Sequence, residues 1–200
     1  MLRHIRPTIV MLLVFSVLTG IAYPLAITGI AQVLFPWQAN GSLVEQDGKV
    51  VGSALIGQNF IGEKYFHPRP SATTEPDPKD STKTIAVPYA ADNSTGSNLG
   101  PTAKALVDRV KDDIGKLQAE NPGTPVPGDL VTTSASGLDP DISPEAAAFE
   151  APRVAKARGM SLDQVNTILA AHTTPRLLGV FGAPHVNVLA LNMALDAAGK

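Results

Sequence analysis

A chain of 200 residues with a hydrophobic fraction of 44% is long enough for one compact domain with a packed core. The formal net charge of -2 argues against a nucleic-acid binder, and the absence of cysteine excludes disulfides, thiolate nucleophiles, lipoprotein attachment and cysteine-ligated zinc. Aromatic residues make up only 5% of the chain, so we expect a core built mostly from aliphatic side chains.

The N-terminal segment predicts one membrane-spanning helix. Residues 8–34 contain no ionisable side chain except Tyr23. A helix of this length reaches about 40 Å, more than the roughly 30 Å of a bilayer's hydrocarbon core. The alternative is a cleaved signal peptide, which usually has an apolar stretch of about 7–15 residues. The longer run and the lack of a clean A-x-A step after it favour an anchor.

Charge predicts the orientation of this anchor. Arg3 and Arg6 precede the apolar run, whereas the stretch after it is uncharged as far as Glu45. The positive-inside rule therefore places residues 1–7 in the cytoplasm and a domain of residues 35–200 on the outer face. From Glu45 onwards 14 Lys and Arg stand against 18 Asp and Glu, so this domain carries about four negative charges.

Small residues recur along the anchor at a spacing of four. They are Ser16 with Gly20, and Ala22 with Ala26. Such spacing lets another helix approach closely, although a helix of this composition also shows such pairs by chance. Pro24 lies near mid-membrane, where it removes a backbone donor and predicts a kink.

The first half of the outer domain is poor in regular structure. Residues 49–56 read as a strand that follows N-G and D-G turns, with a possible continuation over residues 58–66. Residues 67–101 are rich in Pro, Ser, Thr, Asp and Gly, so we expect a long loop there, which is either disordered or used for binding.

The second half is mainly helical, which together with the strands predicts a small mixed α+β domain. Helical periodicity covers residues 101–120, residues 144–159 (which Pro152 breaks or restarts), a helix that begins at Ser161, and residues 186–198, the last with a strand alternative over residues 186–190. The predicted apolar faces are Ala103, Leu106, Val107, Val110, Ile114 and Leu117 on the first helix, Leu162, Val165, Ile168 and Leu169 on the third, and Leu189, Met193 and Ala197 on the last. Ser143 is the predicted cap of the second helix, and Ser161 with Gln164 forms a predicted capping box for the third. Residues 130–134 and 177–181 are the predicted short strands.

No catalytic motif is apparent in the sequence. It has no phosphate-binding loop, no G-x-S-x-G and no H-E-x-x-H, and its four histidines lack metal-ligand spacing. Backbone amides at the start of the helix near Pro101 are weak candidates for binding an anion. Asp139 and Asp141 resemble turn residues more than cation ligands, because hard cations need several close oxygens.

One stretch combines two aromatic side chains with a histidine and an arginine. Tyr65, Phe66, His67 and Arg69 lie in a stiff, proline-rich segment. The segment is either an anchor for a partner or a strand end packed on the domain's own core, and the residues alone do not separate these alternatives.

Several strings in one order carry a resemblance to a known family. They include T-G-I-A-Y-P from Thr19, G-S-A-L-I-G-Q-N-F from Gly52, Y-F-H-P-R-P-S-A from Tyr65, G-S-N-L-G-P-T from Gly96, V-T-T-S-A-S-G-L-D-P-D-I-S-P from Val131, R-V-A-K-A-R-G from Arg153 and V-N-V-L-A-L-N-M-A-L-D from Val186. The chain thereby resembles the C subunit of the Kdp-type potassium-transporting ATPase of bacteria over nearly its whole length. It departs from the family pattern at Ala103, Ala135, Asp141 and His185.

The resemblance implies a non-catalytic accessory subunit of an ATP-driven potassium uptake complex in the bacterial inner membrane. Its implied partners are a potassium-channel-like subunit, a P-type ATPase subunit and a small single-helix peptide, besides membrane lipid. It implies a role in assembly and, as a catalytic chaperone, in raising the ATP affinity of the ATPase subunit. ATP and K⁺ are then handled by the partners, and no cofactor or metal is expected on this chain.

The candidate residues follow from these readings. The candidate partner interface comprises Tyr65, Phe66, His67, Arg69, Ser97, Asn98 and Asp139, and the candidate packing positions in the membrane are Ser16, Gly20, Ala22, Pro24 and Ala26. The alternative function is a regulator with a cytoplasmic domain that binds nucleotide directly.

Overall fold

The computed structural model describes residues 2–199, which form a mixed α+β structure in two compact units divided between Ser53 and Ala54. The first unit begins with a short 3₁₀ turn (Leu2–His4) and a long apolar helix. This helix spans Ile5–Leu34, 30 residues, and is long and apolar enough to cross a membrane. At 1.5 Å per residue it measures about 45 Å, ample for a hydrocarbon core of about 30 Å.

The long helix changes its hydrogen-bonding pattern just before its proline. It consists of α1 (Ile5–Val17), a π-helical turn (Leu18–Ala22) and α2 (Tyr23–Leu34). Pro24 has no N–H to donate and its ring crowds the preceding turn, so a locally widened turn relieves both problems. The disturbance expected at Pro24 therefore takes the form of a π-helical turn.

The first unit ends in a helical turn and a hairpin. They are α3 (Pro36–Ala39), β1 (Leu43–Gln46) and β2 (Lys49–Ser53), with β1 and β2 antiparallel around the predicted D-G turn. Gln32 and Asn40 exchange side-chain hydrogen bonds of 3.1 and 3.3 Å. The amide of Gln32 therefore has its hydrogen-bond partner within this unit.

The second unit combines short strands with four helices. Its strands are β3 (Thr74–Asp77), β4 (Asp80–Ala86), β5 (Asp141–Ile142), β6 (Thr173–Thr174) and β7 (His185–Asn187), and its helices are α4 (Lys104–Glu120), α5 (Pro144–Arg158), α6 (Leu162–Ala171) and α7 (Val188–Ala198), with a 3₁₀ turn at Gly128–Leu130. β3 and β4 form an antiparallel hairpin within the proline-rich stretch of residues 67–101, and β7 pairs with both β5 and β6 in antiparallel fashion.

Helix α5 runs unbroken through Pro152, so the predicted break was wrong. Its start is as expected, because the Ser143 Oγ accepts a hydrogen bond from the Ala146 N–H. Pro152 and Ala148, whose carbonyl loses its helical donor, are both exposed. Water can satisfy that carbonyl, which lets tertiary packing of the opposite face carry the helix past the proline.

The local sequence pattern predicted where helices α6 and α7 begin better than the burial of their side chains. The capping box of Ser161 and Gln164 is present, with both reciprocal hydrogen bonds. The last helix starts at Val188, while Val186 belongs to strand β7, so the strand alternative holds only for its first residues. Leu162, expected in the core, is 44% exposed at the first turn of α6.

Two predicted short strands, and the possible continuation of the first strand over residues 58–66, are absent among the described residues. Residues 130–134 contain the end of a 3₁₀ turn instead, because the Val131 N–H bonds back to the Gly128 carbonyl. Residues 177–181 form a tight turn closed by one bridge between Leu177 and Phe181. Residues 58–66 are irregular, because the side chains of Asn192 and Arg153 bond to the backbone groups of Phe66 and Tyr65 that a strand partner would need.

The core is aliphatic and alanine-rich, as the composition predicts. The fully buried large side chains include Phe66, Ile142, Val154, Val165, Val186, Leu191 and Leu195. They come from the segment around Phe66 and from β5, β7, α5, α6 and α7, with α5 and α7 contributing the most buried residues. On α7 the buried residues are Val188, Leu189, Leu191, Asn192 and Leu195, so the predicted face of Leu189, Met193 and Ala197 was wrong beyond its first member.

Helix α4 packs differently from the others, since none of its residues is fully buried. Leu106, Val110, Ile114 and Leu117 are half-buried along one stripe, as the periodicity predicted, but Val107 is 38% exposed. This helix therefore covers the edge of the core.

Replacement of a core leucine should test the importance of this packing. Leu191→Ala removes a side chain that is 0% exposed and should lower the free energy of unfolding by about 2–5 kcal/mol, because it leaves a cavity. Leu162→Ala is the matched control at 44% exposure and should cost well under half as much. Thermal unfolding of the purified protein in detergent measures both, and equal losses would contradict this assignment of the core.

Candidate functional site

The candidate interface stretch is anchored in the core through Phe66. Phe66 is 0% exposed, and its backbone N–H donates to the Asn192 Oδ1 at 2.8 Å while its carbonyl accepts from the Asn192 Nδ2 at 3.0 Å. Asn192 is itself 1% exposed on α7. A side-chain amide thus takes the place of a neighbouring strand, which explains how this irregular segment is held in place without belonging to a sheet. Phe66 is therefore packed on the domain's own core, which was one of the two interpretations of this segment, and is not available as an anchor for a partner.

An ion pair on α5 fixes the backbone on either side of Phe66. The Glu150 carboxylate is 2% exposed, accepts from the His67 N–H at 2.8 Å and lies 3.2 Å from the Arg153 guanidinium. Arg153 donates to the carbonyls of Glu63 at 2.7 Å and Tyr65 at 3.1 Å. One helix turn therefore holds three backbone groups of the segment in place.

Burial perturbs the titration of both acidic and basic members of this cluster. It raises the pKa of Glu150 from 4.5 to about 7, because a carboxylate is poorly solvated there, although the Arg153 charge opposes the shift. It also lowers the pKa of His67, and the Arg153 charge adds to that effect. Burial thus disfavours both the charged carboxylate and the imidazolium.

Tyr65 lies at the edge of the same stretch. Its hydroxyl donates to the Asp196 Oδ2 at 3.2 Å, and its ring contacts the Arg158 guanidinium at 5.2 Å. Arg158 in turn donates to Asp196 at 2.9 Å and to the Lys64 carbonyl at 2.6 Å. The aromatic side chain is half-buried, so part of its surface stays open to solvent.

Arg69 and Asp139, which are 70 positions apart, meet in a direct ion pair. The Arg69 Nη1 donates to the Asp139 Oδ2 at 2.9 Å, with both side chains about a quarter exposed. The Tyr89 hydroxyl donates to the Arg69 carbonyl at 2.8 Å, and burial raises the pKa of Tyr89. This pair joins the segment of residues 65–71 to the loop that precedes β5.

Ser97 and Asn98 lie on a second loop that runs beside residues 133–137. The Ser97 hydroxyl accepts from the Thr133 Oγ1 at 3.3 Å, and a Cβ on Gly96 would come within 2.8 Å of the Ala135 carbonyl oxygen. Such close backbone approach requires glycine at position 96. Asn98 is exposed and has a left-handed backbone with φ of 51°, so it is the most accessible of the predicted interface residues.

A cavity of about 450 Å³ opens beside the first segment. Its walls combine apolar rings and chains with charged groups, and they include Phe60, His67, Arg69, Tyr89, Arg109 and Glu150. The cavity is large enough for a partner's side chain or a small molecule. The predicted residues His67 and Arg69 line it, whereas Ser97 and Asn98 do not.

The acidic residues of this region have structural partners. Asp139 pairs with Arg69, and Asp141 accepts from the Asn187 Nδ2 at 3.3 Å. Asp129 accepts from both the N–H and the hydroxyl of Ser143, at 2.7 and 3.1 Å, and so supports the start of α5. Across residues 2–199 no group of three or more His, Asp or Glu side chains is placed to hold a metal ion.

The candidate packing positions of the anchor all lie on the long apolar helix. Ser16, Gly20, Ala22, Pro24 and Ala26 are exposed, and a Cβ on Gly20 would meet no atom within 4 Å. The surface of this helix is therefore open along the stripe, and whether a second helix uses it stays a prediction.

Sequence reasoning missed the two residues that organise the site. Glu150 and Asn192 occur within helices that were recognised, but no role was predicted for them. Glu150 follows Ala147 by three positions and precedes Val154 by four, which puts a charge on the buried face of α5. A charged residue at the spacing of buried residues was the feature of the sequence that could have indicated the role of Glu150.

These features define an α+β domain that follows a helix long and apolar enough to cross a membrane, and whose predicted interface residues are partly built into its own core. The chain belongs to the KdpC family, described as the K⁺-transporting ATPase, c chain, whose model matches residues 5–197. It is 67% identical to the potassium-transporting ATPase KdpC subunit of Rhodopseudomonas palustris strain BisB18, over 99% of this chain and 100% of that protein.

Other relatives carry the same name. The protein of Bradyrhizobium diazoefficiens is 68% identical over 99% of this chain and 98% of its own length, and that of Methylobacterium nodulans is 63% identical over 100% of both chains. The resemblance seen in the sequence is thereby confirmed, and the long apolar helix fits a single-pass membrane protein.

The titration of Glu150 should be visible in the stability of the protein. Between about pH 4.5 and 7 the folded state retains a proton that the unfolded chain has released, so this residue lowers stability as pH rises through that window. Relative to Glu150→Gln, the wild type should therefore lose up to about 3 kcal/mol of unfolding free energy between pH 4 and 8.

Denaturant unfolding at several pH values measures this difference. Glu145→Gln, an exposed position on the first turn of the same helix, is the matched control and should show no comparable pH-dependent difference. A wild-type advantage over Glu150→Gln that grows with pH would contradict the assigned direction.

Proposed function

We propose that this protein is a non-catalytic accessory subunit of a high-affinity, ATP-driven potassium uptake complex in the bacterial inner membrane. It stabilises the assembly of a potassium-channel-like subunit with a P-type ATPase subunit and a small single-helix peptide. It also acts as a catalytic chaperone, which raises the affinity of the ATPase subunit for ATP. ATP and K⁺ are bound by the partners.

One observation carries this proposal: the similarity to proteins named potassium-transporting ATPase KdpC subunit extends over 99–100% of the chain. The arrangement of an apolar helix followed by an α+β unit agrees with this proposal. The long apolar helix provides a site for contact within the membrane, and the second unit offers an exposed Asn98 and a cavity beside His67 for contact outside it.

The charges that flank the helix support an outer location for the domain. Arg3 and Arg6 precede the apolar run and no charge follows it before Glu45, which favours a cytoplasmic N-terminus. A domain on the outer face has no access to cytoplasmic ATP. The effect on ATP affinity is then a coupling between two sites, transmitted through membrane helices, and such couplings typically amount to about 5- to 150-fold.

The partner contacts are proposed to involve the outward parts of the candidate interface. Asn98 is exposed, and the half-buried Tyr65 and the Arg69–Asp139 pair present one side to solvent. Phe66 supports this surface from inside the core. The negative charge of the domain modestly favours cations near it, an effect that salt screens within about 8 Å at physiological strength.

A reporter fused after Lys200 tests the orientation. We expect alkaline phosphatase activity in intact cells from this fusion and no fluorescence from a fluorescent protein that folds only in the cytoplasm, because the arginines retain the N-terminus inside. Moving positive charge to the other flank, by Arg3→Ser and Arg6→Ser with Asn40→Lys and Ser42→Lys, should reduce the phosphatase signal. The opposite pattern in the wild type would favour the regulator that binds nucleotide directly.

Purification of the tagged protein in mild detergent tests the assembly. We expect the channel-like and ATPase subunits to co-purify, and the ATPase subunit to require more ATP for half-maximal activity when this chain is left out. A photoreactive ATP analogue should label the ATPase subunit and leave this chain unlabelled. Labelling of this chain, or purification without any other membrane subunit, would contradict the proposal.

A further inference from the structure

The turn between β6 and β7 presents an unusual cluster of exposed apolar side chains. Leu177, Leu178, Val180 and Phe181 are 69%, 83%, 71% and 62% exposed, and we call these four residues the apolar tip. Soluble surfaces scatter such residues singly, and a contiguous group marks a surface that contacts another phase or molecule.

The backbone of the apolar tip is closed upon itself. Leu177 and Phe181 exchange two backbone hydrogen bonds of 3.0 Å, and the Val180 N–H donates to the Leu177 carbonyl at 3.2 Å. The Gly179 N–H donates to the Arg176 carbonyl at 3.0 Å. Most of the N–H groups at the tip are therefore satisfied without water, which is the condition for a backbone to enter an apolar medium.

The apolar tip has a leucine, Leu178, at a position whose backbone conformation favours glycine. Leu178 has φ of 54°, a left-handed conformation that is unfavourable for a residue with a branched side chain. It is at the same time the most exposed member of the tip, so packing within the domain does not explain its presence. A strained and exposed leucine indicates a role in contact with an external partner.

Two features of the tip indicate lipid as that partner. From Leu177 to Pro184 the segment, L-L-G-V-F-G-A-P, contains no polar side chain, whereas protein interfaces carry about one hydrogen bond per 100–200 Å². Four side chains also fall far short of the roughly 20–30 residues per side of a standard protein interface. Insertion into a bilayer needs neither a polar rim nor a large area.

The long apolar helix of the same chain keeps the tip close to a bilayer. This helix of 30 residues tethers the domain to a bilayer, so a weak contact of the domain with lipid is formed at high effective concentration. Arg176, directly before the tip, is exposed and can approach lipid phosphates, as basic residues do beside inserted apolar groups.

We propose that the apolar tip inserts into the lipid surface of the membrane that holds the anchor and forms a second attachment point for the domain. The inference does not depend on which side of the membrane the domain occupies, nor on the partners proposed above. Its consequence is a restriction of the domain's orientation at the membrane before any other subunit binds.

Quenching of tryptophan by brominated lipid tests the insertion. The full chain carries a single tryptophan, so the series starts from Trp37→Phe and adds Phe181→Trp. Reconstituted in nanodiscs of phosphatidylcholine with brominated acyl chains, the tryptophan of Phe181→Trp should be quenched several-fold more than that of the control Leu162→Trp. Leu162 is an exposed leucine at the other end of α6, a helix of about 15 Å.

Two substitutions at Leu178 separate insertion from folding. Leu178→Asp, added to Phe181→Trp, should remove most of the quenching because a carboxylate resists entry into lipid. Leu178→Gly should reduce it while raising thermal stability, because glycine tolerates the left-handed backbone. Full quenching in the Leu178→Asp chain would overturn the proposal.

Two further outcomes would also overturn it. One is equal quenching of the tryptophans introduced at Phe181 and Leu162. The other is a tryptophan at Phe181 that iodide quenches freely in nanodiscs of this chain alone but not after assembly with the other subunits, which would assign the tip to a protein contact.

Discussion

The ion pair of Glu150 and Arg153 is the interaction on which the candidate site depends. It is buried on α5, and it is directed at backbone groups of residues 63–67, a segment that has no strand partner. A buried charge pair is costly unless its remaining hydrogen-bonding capacity is used. Here the Arg153 Nη1 and the second oxygen of Glu150 bond to main-chain groups, so the pair and the segment stabilise each other, although the Nε and Nη2 of Arg153 make no hydrogen bond within residues 2–199.

Asn192 completes this arrangement from the opposite side. Its amide matches the N–H and the carbonyl of Phe66, and a buried amide left without partners would destabilise α7. Three polar side chains from two helices therefore determine the path of the segment. This accounts for an irregular chain that is nevertheless well packed, with Phe66 inserted among the residues of α5 and α7.

Membership of the KdpC family gives this rigid segment a functional context. An accessory subunit without a catalytic centre acts by presenting surfaces in a defined geometry, and a fixed segment with Tyr65 and Arg69 at its edge suits that task. The long apolar helix adds an open surface that suits the proposed contact within a membrane. The apolar tip adds a separate surface whose composition suits lipid, so the contacts proposed with protein and with lipid lie on different parts of the chain.

The sequence alone determined those features that depend on local chemistry. The apolar run of residues 8–34 requires a helix in lipid, Ser161 and Gln164 form their capping box, and the mixed α+β class follows from periodicity. The order of short motifs was enough to recognise the family. In each case the signal lies within a few neighbouring residues or in a long uniform stretch.

Tertiary structure decided the features that depend on distant partners. Helix α5 passes through Pro152 because its other face is buried, and residues 58–66 form no strand because Asn192 and Glu150 take the backbone groups at their end. Arg69 meets Asp139 across 70 positions, and Leu177–Phe181 closes into a turn. Local propensity cannot anticipate these outcomes, because the hydrogen-bond partners that decide them are brought together only when the chain folds.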